Sequence, residues 1–285
     1  MTLQQAIGLA IQISMALVVF CVALGVRPAE IAPLLRSPGL LIRSVLAMYV
    51  VMPLVAIAMA IWFDIRHAVE IALVTMALSP IPPILPNKQI KAGGNPGRTL
   101  GILALTAAVS VIFIPAAVTL IGRMFGRDLS IPPGTIFEMV AIALLLPAIA
   151  GMVVRQLAPM IADRIARPLS IVANVMMVVA FLPVLVKVWP AMMALVGDFT
   201  VVAIVIFAAI GILVGHVLGG PDEGDRAVLA LAASTGHPGI AIGIAHAANP
   251  DDQGIPAAVL LVLLVGAIAS TPYVMWRKRS RGRSK

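Results

Sequence analysis

The chain has 285 residues, 61% of them hydrophobic and only 11% charged, with a formal net charge of +8. A soluble domain carries about 25% charged residues, so a water-soluble enzyme is excluded and an all-α polytopic membrane protein is expected. The positive excess does not point to nucleic acid: Lys and Arg sit in short loops and in the terminal run RKRSRGRSK (277–285), as in a membrane protein with a basic inner side.

A membrane-crossing helix needs about 20 apolar residues. Nine stretches qualify: 3–25, 40–63, 68–87, 99–121, 134–154, 168–189, 199–218, 227–248 and 255–275. The start, MTLQQAIGLAIQIS, has no basic n-region and no small-residue cleavage site, so the first stretch is expected to stay as a helix. Cys21, the single cysteine, lies inside it, which excludes intrachain disulfides and thiolate metal sites.

Charge orients the nine stretches. With the tail inside, the inner side holds sixteen basic residues, among them Arg27, Arg36, Arg43, Lys88, Lys91, Arg98, Arg155, Arg164, Arg167 and Arg226. The outer side holds four, Arg66, Arg123, Arg127 and Lys187, together with Asp251 and Asp252. This asymmetry predicts a multi-pass protein of the cell inner membrane with its N-terminus outside and its C-terminus in the cytoplasm.

Two stretches are abnormal. The third carries LSPIPPILPN (78–87), with four prolines in ten residues, and the eighth carries STGHPGIAIG (234–243). They stand five spans apart, so they cross in opposite directions. Paired Gly/Pro interruptions in two inverted halves are the sequence pointer to a secondary transporter's binding site. The reading is a single transmembrane domain over 1–285. Residues 3–121 form an incomplete four-span repeat, 134–275 a complete five-span repeat, and 276–285 a basic tail.

A break at membrane depth frees carbonyls of one half-helix and amides of the next, and these must face protein, water or ligand. Half-helix N-termini carry partial positive charge and favour anions. The polar inventory beside the breaks is short, and the substrate contacts expected there are Ser79, Pro82, Pro83, Asn87, Lys88, Ser234, Thr235, His237, Pro238 and Gly239. Gln89 and Lys91 lie close by. Each has a plainer alternative: Lys88 and Lys91 as snorkelling lysines, His237 as an interhelical hydrogen bond. Ser14, Thr106 and Ser110 are expected to bond back to their own helices, Asn174 could line a cavity, and Glu138 is expected at the interface. No Asp or Glu lies at mid-depth in either break, so no metal site and no cofactor are expected. The chain contains no G-x-x-x-x-G-K-[ST], H-E-x-x-H or G-x-S-x-G motif, which argues against nucleotide-driven transport and against an enzyme.

The stretches MALVVFCVALGVRPAEIAPLLRSPGLLIRSVLAMYVVMPL (15–54), ALSPIPPILPNKQIKAGGN (77–95) and LALAASTGHPGIAIGIAHA (229–247) resemble the bile acid:sodium symporter family, with Pro80, Asn95 and Gly239 agreeing with its pattern. The resemblance implies ten helices in two inverted five-helix repeats, with a core domain holding two crossed, proline-broken helices and a smaller panel domain. This chain would be a shortened, nine-helix member that begins at the family's second helix. The departures fall at the ion sites. Where the family has Gly-Gly-Thr-x-Ser-Asn, this chain has Ile81, Pro82, Pro83, Ile84, Leu85 and Pro86. Where it has a sodium-binding Glu and Gln, this chain has Ala232 and Gly236, followed by His237.

The expected function is alternating-access transport of a small organic anion, embedded in membrane lipid, coupled to protons or to nothing rather than to sodium. Two alternatives stand beside it: sodium-coupled symport of a bile-acid-like anion with ligands from backbone carbonyls, and a non-transporting sensor or assembly subunit.

Overall fold

Proline opens most of the helices, where its missing N–H costs nothing and its fixed φ suits the first turn. The computed structural model describes residues 3–283 apart from 28, 32–36, 125–130, 198, 249–251 and 253. Arg36, Arg127, Asp251 and Lys285, used above for orientation, lie outside the described residues. All regular structure among the described residues is helical.

Helix α1 spans Leu3–Leu24, α2 Pro38–Trp62, α3 His67–Leu78, α4 Leu85–Lys91, α5 Pro96–Met124 and α6 Pro133–Leu157. There follow α7 Pro159–Leu195, α8 Thr200–Leu218, α9 Glu223–Ala233, α10 Pro238–Ala248, α11 Ile255–Ala269 and α12 Thr271–Arg283. Among the described residues eight stretches are long and apolar enough to cross a membrane, with α9–α10 and α11–α12 each counting as one.

The expected third span, 68–87, is not one helix. It divides into α3 and α4, and 12 residues of α3 reach only ~18 Å at 1.5 Å per residue against ~30 Å of hydrocarbon. The prolines explain the division: Pro80, Pro82 and Pro83 occupy the gap, and Pro86 sits in the first turn of α4. The expected sixth span, 168–189, is also corrected. Helix α7 runs 37 residues, starts well before 168 and takes in Arg164 and Arg167. The ninth, 255–275, is interrupted at Ser270 between α11 and α12.

Two prolines leave a different mark. Leu46–Val51 in α2 and Ala141–Leu145 in α6 are π-helical, each ending two residues before a proline, Pro53 and Pro147. Proline cannot donate to the carbonyl four residues back and clashes with it. A widened turn just upstream absorbs the mismatch without ending the helix.

The helices pack in two groups. Helix α1 lies along α6 and α7. The second group contains α2, α3, α4, α5, α8, α9, α10, α11 and α12, with α3 against α2, α10 and α11, α8 against α9 and α11, and α12 against α4 and α11. Contacts from α5 to α6 and from α7 to α11 join the groups. The α8–α9 contact rests on glycine. Gly211, Gly215 and Gly219 recur every four residues on one face, and a Cβ at Gly215 would meet Ala230 Cα at 2.5 Å. At Gly219 it would meet Arg226 N at 2.7 Å. Such a stripe lets two backbones approach where apolar side chains gain nothing over lipid.

Candidate functional site

The two breaks touch. Helix α3 packs on α10 and α4 packs on α9, so the two broken segments form an X whose centre is Ser79 against Gly236 and His237. Ser79, 1% exposed, donates its hydroxyl to Met76 O at 2.9 Å and accepts the His237 N–H at 2.9 Å. One hydroxyl thus closes the end of α3 and binds the start of α10. Gly236 makes the approach possible, because a Cβ there would stand 2.5 Å from Ser79 Oγ and 2.8 Å from Met76 C.

At the start of α10 the amides are mostly taken. His237 N–H goes to Ser79, Pro238 has none, Ile240 N–H reaches His237 Nδ1 at 3.3 Å, and Ala241 N–H reaches His237 O at 2.9 Å. His237 is therefore the N-cap of α10. An Nδ1 that accepts an amide proton leaves the neutral ring's own proton on Nε2. That nitrogen is buried with no partner among the described residues. Gly239, next to it, is exposed, and a Cβ there would touch only the His237 ring, at 3.4 and 3.5 Å.

The other expected contacts divide. Pro82, Pro83, Ser234 and Pro238 are buried, while Asn87 and Thr235 are half-buried. Ser234 Oγ donates back to Leu231 O at 3.0 Å. Lys88 points elsewhere: its ammonium donates to Ala267 O at 2.8 Å and Ser270 Oγ at 2.6 Å, capping the C-terminus of α11 where that span is interrupted. A cation there complements the helix dipole. The plain expectations hold for Ser14, Thr106 and Ser110, which bond back to Ile11, Leu103 and Ala107. Asn174 does likewise, to Ser170 O at 2.6 Å, and Glu138 is exposed.

A cavity of about 350 Å³ lies beside α3, walled by apolar side chains of α2, α5 and α10 such as Ile57, Ile61, Val118, Ile121 and Ile244. Leu78, the neighbour of Ser79, lines it, and His67, Glu70 and Thr75 are its polar members. His67 Nδ1 and Glu70 Oε2 are 2.9 Å apart.

At the opposite end of α3–α4 a polar cluster, unforeseen from the sequence, ties the start of α9 to its neighbours. Asp222 caps α9 by accepting from Gly224 N at 2.8 Å and Asp225 N at 3.0 Å. Arg98 of α5 pairs with Asp225 and, at 3.4 Å, with Asp222. Arg277 of α12, 3% exposed, pairs with Glu223 and donates to its carbonyl at 2.7 Å. The signal was present as Pro-Asp-Glu-Gly-Asp-Arg (221–226), a capping aspartate followed by first-turn acids.

An all-helical, multi-pass bundle with two interrupted helices crossing at their breaks has the build of a membrane transporter. The chain matches the Sodium Bile acid symporter family over residues 12–193, more than half its length, and belongs to that family. It is also similar to an uncharacterized sodium-dependent transporter of Bacillus subtilis (strain 168), YocS, with 25% identity over 146 residues, 51% of this chain and 44% of that one. The match thus spans less than half of the relative. The family match takes in the first break and stops before the second, so Ser234 to Gly239 stand on their geometry alone.

Proposed function

We propose that the chain is a secondary transporter that binds a small organic anion at the crossing and carries it by alternating access. The observation that carries this reading is the direct bond between the breaks, Ser79 Oγ to His237 N–H, which brings an exposed Gly239 and the buried His237 imidazole to the start of a half-helix. The amide of Gly239 and the dipole of α10 favour an anionic group, and the apolar cavity beside α3 suits the hydrocarbon body of an organic acid.

The packing into two groups supports a core of α2–α5 and α8–α12 moving against a panel of α1, α6 and α7. On this reading α3–α4 counts as a ninth crossing, residues 3–121 and 134–275 are the inverted repeats, the N-terminus is outside and the C-terminus cytoplasmic. Sodium coupling through the breaks finds no support in the side chains: Ile81, Pro82, Pro83, Ala232 and Gly236 offer no oxygen ligand. Coupling to protons or facilitated exchange fits better.

Uptake of labelled carboxylates by proteoliposomes tests the reading. Saturable uptake in choline medium is expected, together with loss of substrate affinity in Gly239→Ala, whose methyl group has room but shields the Gly239 amide. Uptake only under an inward Na⁺ gradient would favour the sodium-coupled symporter. No flux of any anion would favour the sensor.

A further inference from the structure

Two guanidiniums meet at Gly220, just past the end of α8. Arg43 of α2 lies over this glycine, where a Cβ would stand 2.6 Å from Arg43 Nη1. From α9, Arg226 donates its Nε–H to Gly220 O at 2.6 Å.

The charge around them is not balanced. Arg43 is half-buried and donates its Nε–H to Gly39 O at 2.8 Å, while its two Nη groups have no acceptor among the described residues. Asp225 feels its charge but pairs with Arg98 instead. Arg226 stands 3.6 Å from Glu223, a carboxylate that is 63% exposed and also serves Arg277. Four guanidiniums, Arg43, Arg98, Arg226 and Arg277, thus face three carboxylates, Asp222, Glu223 and Asp225. Arg43 is the one left over.

The depth suits a headgroup. Arg43 stands five residues into α2, about 7.5 Å at 1.5 Å per residue. Its side chain runs back to Gly39 near the helix start, as a snorkelling arginine does. Helix α8 ends at Leu218, so the guanidinium lies where both helices leave the hydrocarbon. Beside it Ile42 and Leu46 of α2, and Leu213 and Val217 of α8, are exposed, which on spanning helices means that they face acyl chains. Tyr273 and Trp276 of α12 pack with His216 of α8, each ring centroid 5.7 Å from the next, and Tyr273 Oη lies 3.4 Å from Arg226 O. Such amphipathic rings mark the level where hydrocarbon meets headgroups.

A phosphate accepts two parallel N–H bonds from one guanidinium, and basic pockets between spanning helices hold lipid headgroups. A free phosphate would use the guanidiniums alone. The exposed apolar side chains beside them favour the phosphate that brings acyl chains with it.

We propose that Arg43 and Arg226, converging on Gly220 between the start of α2 and the end of α8, bind the phosphate of an anionic phospholipid whose chains run down the two helices. The site lies about 12 Å along α9 from the crossing, eight residues from Arg226 to Ser234. It uses none of the residues proposed for the transported anion and does not depend on what is carried.

Full-length protein in detergent, mixed with phosphatidylcholine or with phosphatidylglycerol of the same chain length, tests the site. Melting temperature and native mass spectrometry of the retained lipids are the readouts. The wild type should retain phosphatidylglycerol over phosphatidylcholine and melt higher in it, since a ligand of the folded state stabilises it by mass action. Arg43→Gln should weaken phosphatidylglycerol binding roughly tenfold or more, the loss expected for bonds to a charged group. In phosphatidylcholine it should melt no lower than wild type, because Arg43 has no ion pair to lose; this separates lost binding from lost folding. Arg43→Lys, which keeps the charge without the planar fork, should fall between the two. Lys187→Gln, which removes an exposed charge from α7, should bind as wild type does. Equal retention of the two lipids by the wild type, or wild-type phosphatidylglycerol affinity in Arg43→Gln, would overturn the proposal. Equal stabilisation by soluble glycerol 3-phosphate at the same concentration would show that no acyl chain is needed and would overturn it too.

Discussion

Gly236→Ala should pull the two breaks apart. Its Cβ would stand 2.5 Å from Ser79 Oγ and 2.8 Å from Met76 C, where ordinary contact begins near 3.4 Å. Met76 C is backbone at the end of α3 and cannot swing away, so the segments must separate by about 1 Å. The Ser79–His237 bond would then stretch from 2.9 Å to roughly 3.9 Å, beyond hydrogen-bond range. Overpacking costs about 1–3 kcal/mol, and the lost bond adds about 1 kcal/mol. At about 2 °C per kcal/mol for a chain of this size, the melting temperature should fall by about 4–8 °C. The assay is thermal unfolding of the purified protein with anion uptake measured in parallel. Gly239→Ala is the control, since its Cβ meets only the His237 ring at ordinary distance. It should melt like wild type while weakening substrate binding. Equal melting of Gly236→Ala and Gly239→Ala would refute the crossing geometry.

Three further outcomes follow from the same contacts. Gly215→Val should destabilise by about 2 kcal/mol or more through collision with the α9 backbone, while Gly8→Ala, with nothing within 4 Å, should stabilise slightly; melting curves of the two separate close packing from helix propensity. Glu223→Ala should cost about 1–2 kcal/mol because it strips the partner from a buried guanidinium, the low end being set by the exposed carboxylate. The double variant with Arg277→Met should cost less than the sum, measured as a double-mutant cycle. His237→Ala should lose about 1 kcal/mol of N-cap stability and His237→Asn should keep it; if both melt as wild type, the imidazole does not cap α10.

The sequence made the breaks visible because proline and glycine act locally. Four prolines within Pro80 to Pro86, and a proline flanked by glycines from Gly236 to Gly239, weigh locally against a continuous helix, and charge asymmetry needs only counting. What stayed hidden depends on what lies opposite. Pro53, Pro147 and Pro183 are as prominent in the sequence as Pro82, yet the first two are absorbed by a π turn or a continuing helix, and Pro183 stays inside α7. Lys88 looked like a substrate contact because it stands four residues from the break. Its partners, Ala267 and Ser270, are some 180 residues away, and no local pattern announces a helix end waiting for a cation. The Gly211–Gly215–Gly219 stripe was legible as glycine at every fourth residue, but its meaning needed the α9 backbone against it.

These hidden contacts share one consequence for mechanism. Glycine-mediated packing fixes α8 to α9, Gln89 fixes α4 to α9, Arg98 fixes α5 to α9, and Lys88 fixes α4 to the α11–α12 junction. Each links elements of the same group, and all converge on the two broken segments. A crossing held by a single 2.9 Å bond at its centre is clamped rigidly at the α4–α9 end. The joins between the groups, α5 with α1 and α6, and α7 with α11, are not spanned by these clamps. If the proposed alternating-access reading holds, the moving surface should lie there, with the breaks travelling as part of a body rather than opening themselves.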